Sequence, residues 1–223
     1  MLTLKKLVFL RRKIDMERTG FSSYWAERHG PLVASQAPFW RFTARYVQNH
    51  VLGTDDAPFD GMAISTQRDP RPTGSFTDEA CYQEILVPDE WRFLDRSGSA
   101  SAMVQEAVSI DRGPIDCDQG AQKRLVFLGA DERAPNEDLA HAWLAAEQSP
   151  GVGRLVINRP INAQEAARLA WLMPGFAALI EIWTKSDDQP SAEPDWSRLI
   201  GGRPSLILTV KEVEIARPTT AIC

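Results

Sequence analysis

Three histidines stand in the 223-residue chain, at positions 29, 50 and 141. Histidine is the side chain whose ordinary titration lies nearest neutral pH, so this short roster narrows the search for acid–base groups. His29 follows Phe21 and Trp25 at intervals of four, which on a helix sets all three on one face. Gly30-Pro31 comes next and reads as a helix stop. A histidine at a helix C-terminus is held protonated by the carbonyl ends, which suits a general acid. The competing reading is a histidine that only hydrogen-bonds those carbonyls. His50 ends a run in which strand alternation places Phe42, Ala44, Tyr46, Gln48 and His50 on one face. The opposite face carries Thr43, Arg45, Val47, Asn49 and Val51. The Val47 and Val51 face is expected to pack under a helix, and the Tyr46-Gln48-His50 face to line a cavity. There Tyr46 could hold a carbonyl or phenol and His50 could move a proton. A purely structural polar row at a strand end is the alternative.

Carboxylates add two candidates. Glu181 shares a strand face with Leu179 and Trp183, and is a second acid or base if that face lines the cavity; otherwise it is an edge glutamate paired with a surface cation. Asp60, before Gly61, could orient a histidine or be an ordinary turn residue. His141 is isolated, and no His-x-x-x-His or carboxylate cluster at ligand spacing occurs, so no metal is expected. Gly151-x-Gly153 lacks the rest of a dinucleotide fingerprint, and no nucleophile elbow is present. No cofactor is expected. Net charge is −5 without a basic stripe, which disfavours nucleic acid. The apolar run at the start is too short for a signal core or a membrane span. Cys81, Cys117 and Cys223 show no CxxC spacing, which fits free thiols in a reducing cytoplasm.

The elements that must position these residues come in two sets. Lys5-Lys6-Leu7-Val8-Phe9-Leu10 returns as Lys123-Arg124-Leu125-Val126-Phe127-Leu128, an offset of 118 that Trp25 and Trp143 keep. Arg45-Tyr46-Val47-Gln48-Asn49 faces Arg154-Leu155-Val156-Ile157-Asn158 at an offset of 109. A segment around 35–43 therefore has no counterpart. The first copy reads as strand 4–10, helix 17–29, strands 42–51 and 59–66, helix 77–87 and strand 102–110. The second reads as strand 123–128, helix 136–147, strands 153–158, 176–183 and 205–215. An inserted helix is expected over 163–172 and a stunted one over 195–200. Loops are expected at 66–75 and 185–194, with a linker at 111–121. The fold class is α+β: two tandem ferredoxin-like βαββαβ units, at 1–112 and 121–217. Each unit leaves one sheet face bare, and two such faces can meet as a barrel around a lumen.

Several segments resemble the EthD-domain family. They are Lys6-Leu7-Val8-Phe9-Leu10-Arg11-Arg12-Lys13, Phe21 with Tyr24-Trp25, and Glu27-Arg28-His29-Gly30-Pro31-Leu32-Val33. Arg45-Tyr46-Val47-Gln48-Asn49-His50, Phe59-Asp60-Gly61-Met62-Ala63, and Asp89-Glu90 before Phe93-Leu94-Asp95 resemble later parts of it. In the second copy only Ile180-Glu181-Ile182-Trp183 does so. The resemblance implies the dimeric α+β barrel fold, here as a pseudo-dimer within one chain. It also implies a cofactor-free dehydratase or decarboxylase, a lyase acting on a hydrophobic aromatic or polycyclic carbonyl compound. Some relatives of this barrel bind haem through a histidine, but nothing in the sequence favours that here. In the implied scheme His50 removes a proton, Tyr46 steadies the oxyanion and His29 returns a proton to the leaving group. Trp25, Gln48, Asp60, Glu181 and Trp183 would bind substrate. The second copy replaces His29 by Glu147, Tyr46 by Leu155 and His50 by Arg159, so a single working site is expected. A cofactor-independent monooxygenase and a non-catalytic binding protein are the other two function classes. The sequence leaves open whether two chains pair as a homodimer.

Overall fold

The computed structural model describes residues 3–53, 56–112, 122–129, 132, 134–146, 152–172, 175–184 and 196–218. Among the described residues eight strands appear in chain order: β1 Leu4–Arg12, β2 Thr43–Val51, β3 Gly61–Gln67, β4 Leu94–Asp111, β5 Gln122–Leu128, β6 Val152–Pro160, β7 Ala178–Thr184 and β8 Leu206–Ile215. The α-helices are α1 Arg18–Tyr24, α2 Gly30–Ala34, α3 Phe39–Phe42, α4 Val87–Phe93, α5 Glu137–Ala146, α6 Ala163–Ala167 and α7 Ser197–Ile200. The fold is α+β of the barrel class expected, with strand order β1-β3-β2-β8-β5-β7-β6-β4. The linker at 113–121, the loop at 185–194, Glu147, Cys117 and Cys223 lie outside the described residues.

The chain divides into two compact units. The first comprises the described residues of Thr3–Val51, Asp55–Ser101 and Glu212–Cys223; the second comprises those of Leu52–Thr54 and Ala102–Lys211. In the first unit β1 and β2 both pair antiparallel with β3. In the second β5 and β6 both pair antiparallel with β7, while β5 also pairs with β8 and β6 with β4. Alternation gives each sheet one helix-packed face. In the first unit Leu10, Tyr46 and Ala63 join Phe21, Trp25, Val33 and Phe93 in one core. In the second Val126, Leu155 and Ile180 join Trp143, Leu144, Trp196 and Leu199.

The opposite faces follow one plan. In the first unit the cross-strand rows are Lys5–Thr66–Arg45, Leu7–Ile64–Val47 and Phe9–Met62–Asn49. In the second they are Lys123–Trp183–Arg154, Leu125–Glu181–Val156 and Phe127–Leu179–Asn158. The outer strands carry the same six residues; only the middle strand differs.

Three expectations change. Gly30-Pro31 does not stop the first helix. Trp25–His29 forms a π turn, the Gly30 N–H bonds to the Trp25 carbonyl, and α2 runs on to Ala34. Gly30 sits in the right-handed region, not in a left-handed cap. The wide turn absorbs one residue, so Pro31 falls in the first turn of a new helical segment, where a missing N–H costs least. The second helical region likewise runs past Pro88 to Phe93, again behind a π turn, Tyr82–Leu86. Finally, Phe42 belongs to α3 rather than to the strand, and a register shift lies between Thr43 and Arg45.

Candidate functional site

The face of β2 that carries Tyr46, Gln48 and His50 looks toward the helices, contrary to the sequence expectation that Val47 and Val51 would. The helix offers this polar row the partners that a buried row requires. The Trp25 carbonyl, on the π turn, accepts from Gln48 Nε2 at 3.0 Å, and Ser22 Oγ lies 2.8 Å from His50 Nδ1. The Trp25 ring stacks beside His50 at 4.5 Å between centroids. Two glycines make this closeness feasible. A Cβ on Gly30 would come within 2.7 Å of Gln48 Nε2, and one on Gly61 within 2.4 Å of the Trp25 ring.

These partners fix the polarity of the row. A carbonyl only accepts, so the Gln48 amide nitrogen must face Trp25 and its Oε1 must face His50 Nε2, 3.1 Å away. His50 therefore carries its hydrogen on Nε2, and in the neutral ring Nδ1 accepts from Ser22. Gln48 Nε2 also reaches the Tyr46 hydroxyl, at 3.4 Å. Tyr46 thus accepts from Gln48 and keeps its own hydrogen to donate. Burial pushes its pKa up to about 12, so that hydrogen stays in place through the neutral range.

His29 belongs to a second network at the same aromatic cluster. It is 6% exposed, its ring is 4.9 Å from Phe93, and Nδ1 is 2.8 Å from Asp89 Oδ2. Asp89 Oδ1 accepts from the Tyr24 hydroxyl at 2.6 Å. With Nδ1–H given to Asp89, the lone pair of the imidazole is on Nε2, which has no hydrogen-bond partner among the described residues. Burial lowers the His29 pKa and outweighs the opposing hydrogen bond and charge of Asp89. The expectation of a protonated histidine at a helix end is corrected accordingly: the helix continues into α2, and burial disfavours the charged ring. Tyr24 is shifted up, first by burial and then by Asp89. Nearby, Glu90 accepts from Tyr82 at 3.1 Å and pairs with Arg96 at 3.0 Å, and burial raises its pKa.

The structure therefore brings Trp25, Tyr46, Gln48 and His50 into contact. His29 joins them through Phe93, Phe21 and Trp25, whose rings are 5.6–5.8 Å apart in sequence. Asp60 stands apart from both histidines. It pairs with Arg12 at 2.7 Å and Arg18 at 3.3 Å, and accepts from the Arg12 N–H at 2.9 Å, so its role as a histidine orienter is replaced by bracing two arginines.

Glu181 and Trp183 lie in the second unit, on the sheet face away from its helices. Glu181 is 2% exposed and its partner is a buried lysine, not a surface cation: Lys123 Nζ is 2.6 Å from Oε2. Oε1 accepts from Asn158 Nδ2 at 2.9 Å. Trp183 takes Lys123 at 4.3 Å and Arg154 at 4.8 Å against its ring. Among the described residues no group of three or more His, Cys, Asp or Glu could hold a metal, and no helix is long and apolar enough to cross a membrane.

Residue-type reasoning overlooked Asp89, Tyr24, Ser22, Lys123 and Asn158. Asp89 had one signal, its place in a family-like segment. Lys123 and Asn158 had another, since both recur in the repeat as Lys5 and Asn49.

No curated protein is significantly similar in sequence. The structure aligns with that of an anthrone oxidase-like protein at 11% identity, covering 99% of this chain and 96% of that one, with a TM-score of 0.50. It also aligns with a protein of Fusobacterium nucleatum whose name proposes a monooxygenase, at 9% identity, 96% and 93% coverage and a TM-score of 0.50. At such identities these similarities speak to the fold alone. Residues 13–97 match the EthD domain, a span that takes in His29, Tyr46, His50 and Asp89. What the match shows is an EthD domain within the first unit.

Proposed function

We propose that the chain is an acid–base enzyme for a hydrophobic carbonyl compound, a cofactor-free lyase of dehydratase or decarboxylase type, with His29 as the proton-transfer group. The observation that carries this reading is the His29–Asp89 pair: Nδ1 held at 2.8 Å, Nε2 without a hydrogen-bond partner among the described residues, and a pKa lowered by burial. Such an imidazole is neutral at neutral pH and presents a lone pair in a fixed direction. The sequence scheme gave proton removal to His50. Both of its ring nitrogens are hydrogen-bonded inside the protein, so the step is assigned to His29 instead.

In a dehydration, His29 Nε2 takes a proton from the carbon beside the carbonyl. The electron pair of that C–H bond moves onto the carbonyl oxygen. Tyr46, whose hydrogen has no acceptor among the described partners, donates to that oxygen. The pair then returns to form the C=C bond, the β-hydroxyl leaves, and His29 gives it the proton, so that water departs. His50 and Gln48 are positioning residues that aim Tyr46. Asp89 positions His29 and stabilises its protonated form. The apolar body of the substrate matches Phe21, Trp25 and Phe93.

A cofactor-independent monooxygenase uses the same first step and then passes the carbanion to oxygen. The fold shared with a structure named for monooxygenase activity is what favours keeping it as a second reading.

The test is deuterium exchange at the α-carbon of 1-tetralone in D2O, followed by NMR. His29→Gln should slow catalysed exchange by about 100-fold or more, and Tyr46→Phe by about 10-fold. Exchange that survives His29→Gln at the wild-type rate would remove the assignment. Oxygen uptake during turnover would select the monooxygenase.

A further inference from the structure

We infer that residues 69–79 form a strap that lifts from the Tyr46 end of the first unit's helix-packed core, and that the Phe76 ring and the Arg41–Glu79 ion pair hold it shut. The strap's purpose, as the way in for an apolar substrate, rests on the reading of His29 and Tyr46. Its existence does not.

His29 is 6% exposed and Tyr46 5%. No molecule of substrate size touches either unless a neighbouring element moves. Trp25, Phe39 and Trp40, which surround Tyr46, are themselves buried core. The chain from Gln67 to Ile85 differs: none of its residues is buried, and Leu86 is the first that is. Yet this stretch covers the core, because Phe76 and Tyr82 pack against it. The rings run Tyr46, Phe39, Phe76, Tyr82, with neighbouring centroids 5.3, 5.1 and 5.5 Å apart. A segment with so little buried surface opens at a lower cost than the core beneath it.

Hydrogen bonds mark where the strap is fixed. At one end the Arg68 N–H donates to the Phe42 carbonyl at 2.9 Å, and its Nε donates to the Trp40 carbonyl at 2.6 Å. At the other end the Tyr82 hydroxyl donates to Glu90 at 3.1 Å. The Tyr82 N–H and Gln83 Nε2 donate to the carbonyls of Glu79 and Thr77, at 3.0 and 2.8 Å. Between these hinges Ser75 and Asp78 close a reciprocal cap on the short turn Phe76–Asp78, so the middle of the strap holds its own shape. Beyond the hinge residues, a single ion pair ties 69–79 to the rest among the described residues: Arg41 Nη2 lies 2.5 Å from Glu79 Oε1. The Arg41 side chain is 61% exposed, and so open a pair is a weak latch. Seating of the Phe76 ring supplies the larger share of the hold.

The experiment times alkylation of Cys81 by iodoacetamide on the full chain, read by peptide mass spectrometry. Cys81 is a partly buried free thiol two residues beyond Glu79. Phe76→Ala should speed its alkylation about 10-fold, and Arg41→Gln about 2- to 5-fold. The thiol's own chemistry does not imitate the second result. Arg41 favours the thiolate, which is the reactive form, so its loss by itself slows alkylation. Wild-type rates in both variants would overturn the strap. So would rates that rise only in step with global unfolding, judged from urea midpoints. Alkylation is read without substrate, so it decides the strap whatever becomes of His29. His29→Gln should lose catalysed exchange of 1-tetralone and leave Cys81 alkylation unchanged, which separates the two readings.

Discussion

In the first unit Lys5, Leu7 and Phe9 on β1, and Arg45, Val47 and Asn49 on β2, flank Thr66, Ile64 and Met62 of β3. In the second the same six residue types flank Trp183, Glu181 and Leu179 of β7. The middle strand thus decides the chemistry of the face. Ile64 leaves the first face without a carboxylate at its centre. Glu181, at the matching position, couples Lys123 to Asn158, and Trp183 gathers two cations. The helix-packed faces differ in the opposite sense. The first unit keeps its polar groups there, in Tyr46, Gln48, His50 and His29. The second has Leu155 at the position that matches Tyr46, within an apolar cluster.

The largest expected effect comes from making the second face like the first. Glu181→Ile removes the carboxylate that lies 2.6 Å from the buried Lys123 ammonium, and should cost about 3–5 kcal/mol of stability by urea denaturation. Adding Lys123→Met should recover most of that loss, because an apolar pair of similar volume replaces a buried ion pair at little cost. If the single variant is as stable as wild type, the ion pair does not organise this face and the comparison fails.

The offsets of 118 and 109 were legible in the sequence, and they persist as strand register down to single residues. Glu181 with Trp183 was legible too, because alternation fixes which residues share a face. Alternation does not say which face meets the helices. Val47 and Val51 looked like the packing face because they are apolar, yet the helix meets Gln48 and His50 with a carbonyl and a hydroxyl that no hydrophobicity pattern reveals. The His29–Asp89 contact spans 60 residues, so no local spacing could show it. The stop at Gly30-Pro31 failed because a π turn is a register change in backbone hydrogen bonds, which residue types mark poorly.

A smaller effect separates the helix-packed faces. Gly61 pairs with Leu10 as Ala178 pairs with Leu128, and each lies in a unit with a buried helix tryptophan, Trp25 or Trp143. Trp25 sits so close to Gly61 that a Cβ there would meet its ring at 2.4 Å. Gly61→Ala should therefore cost about 1–3 kcal/mol through overpacking. Ala178→Gly should cost only about 0.5–1 kcal/mol, mainly through backbone freedom. Urea midpoints of the two variants check the asymmetry, and equal losses would mean that the two tryptophans seat alike.

Acid titration tests the buried histidine. The folded His29 pKa is lowered, so below its ordinary value of about 6.5 the unfolded chain binds a proton that the folded chain refuses. Stability from this group is complete above that value and is lost as pH falls through the interval beneath it. Wild type should thus lose more stability than His29→Gln between about pH 7 and pH 5, by urea midpoints. The acid limb of turnover should lie below the ordinary histidine value. Asp89→Asn, which removes the opposing charge, should move that limb lower still while reducing the maximal rate. A limb that moves upward would show that Asp89 does not hold His29.

The smallest effect asks whether one residue can serve two faces in two ways. Arg45 and Arg154 occupy the same register position. Arg45 reaches Glu214 at 2.7 Å and Glu212 at 3.3 Å, with about a third of its side chain exposed. Arg154 lies over the Trp183 ring at 4.8 Å. An exposed ion pair is worth little and weakens as salt screens it, whereas contact with a ring face persists when water is excluded. Each Arg→Ala variant should cost under about 1 kcal/mol in low salt. In about 1 M salt, where screening is nearly complete, the cost at Arg45 should vanish and the cost at Arg154 should remain. Equal salt dependence at the two positions would mean that Trp183 does not change how its neighbouring arginine is held. The middle strand would then set less of this face than its register suggests.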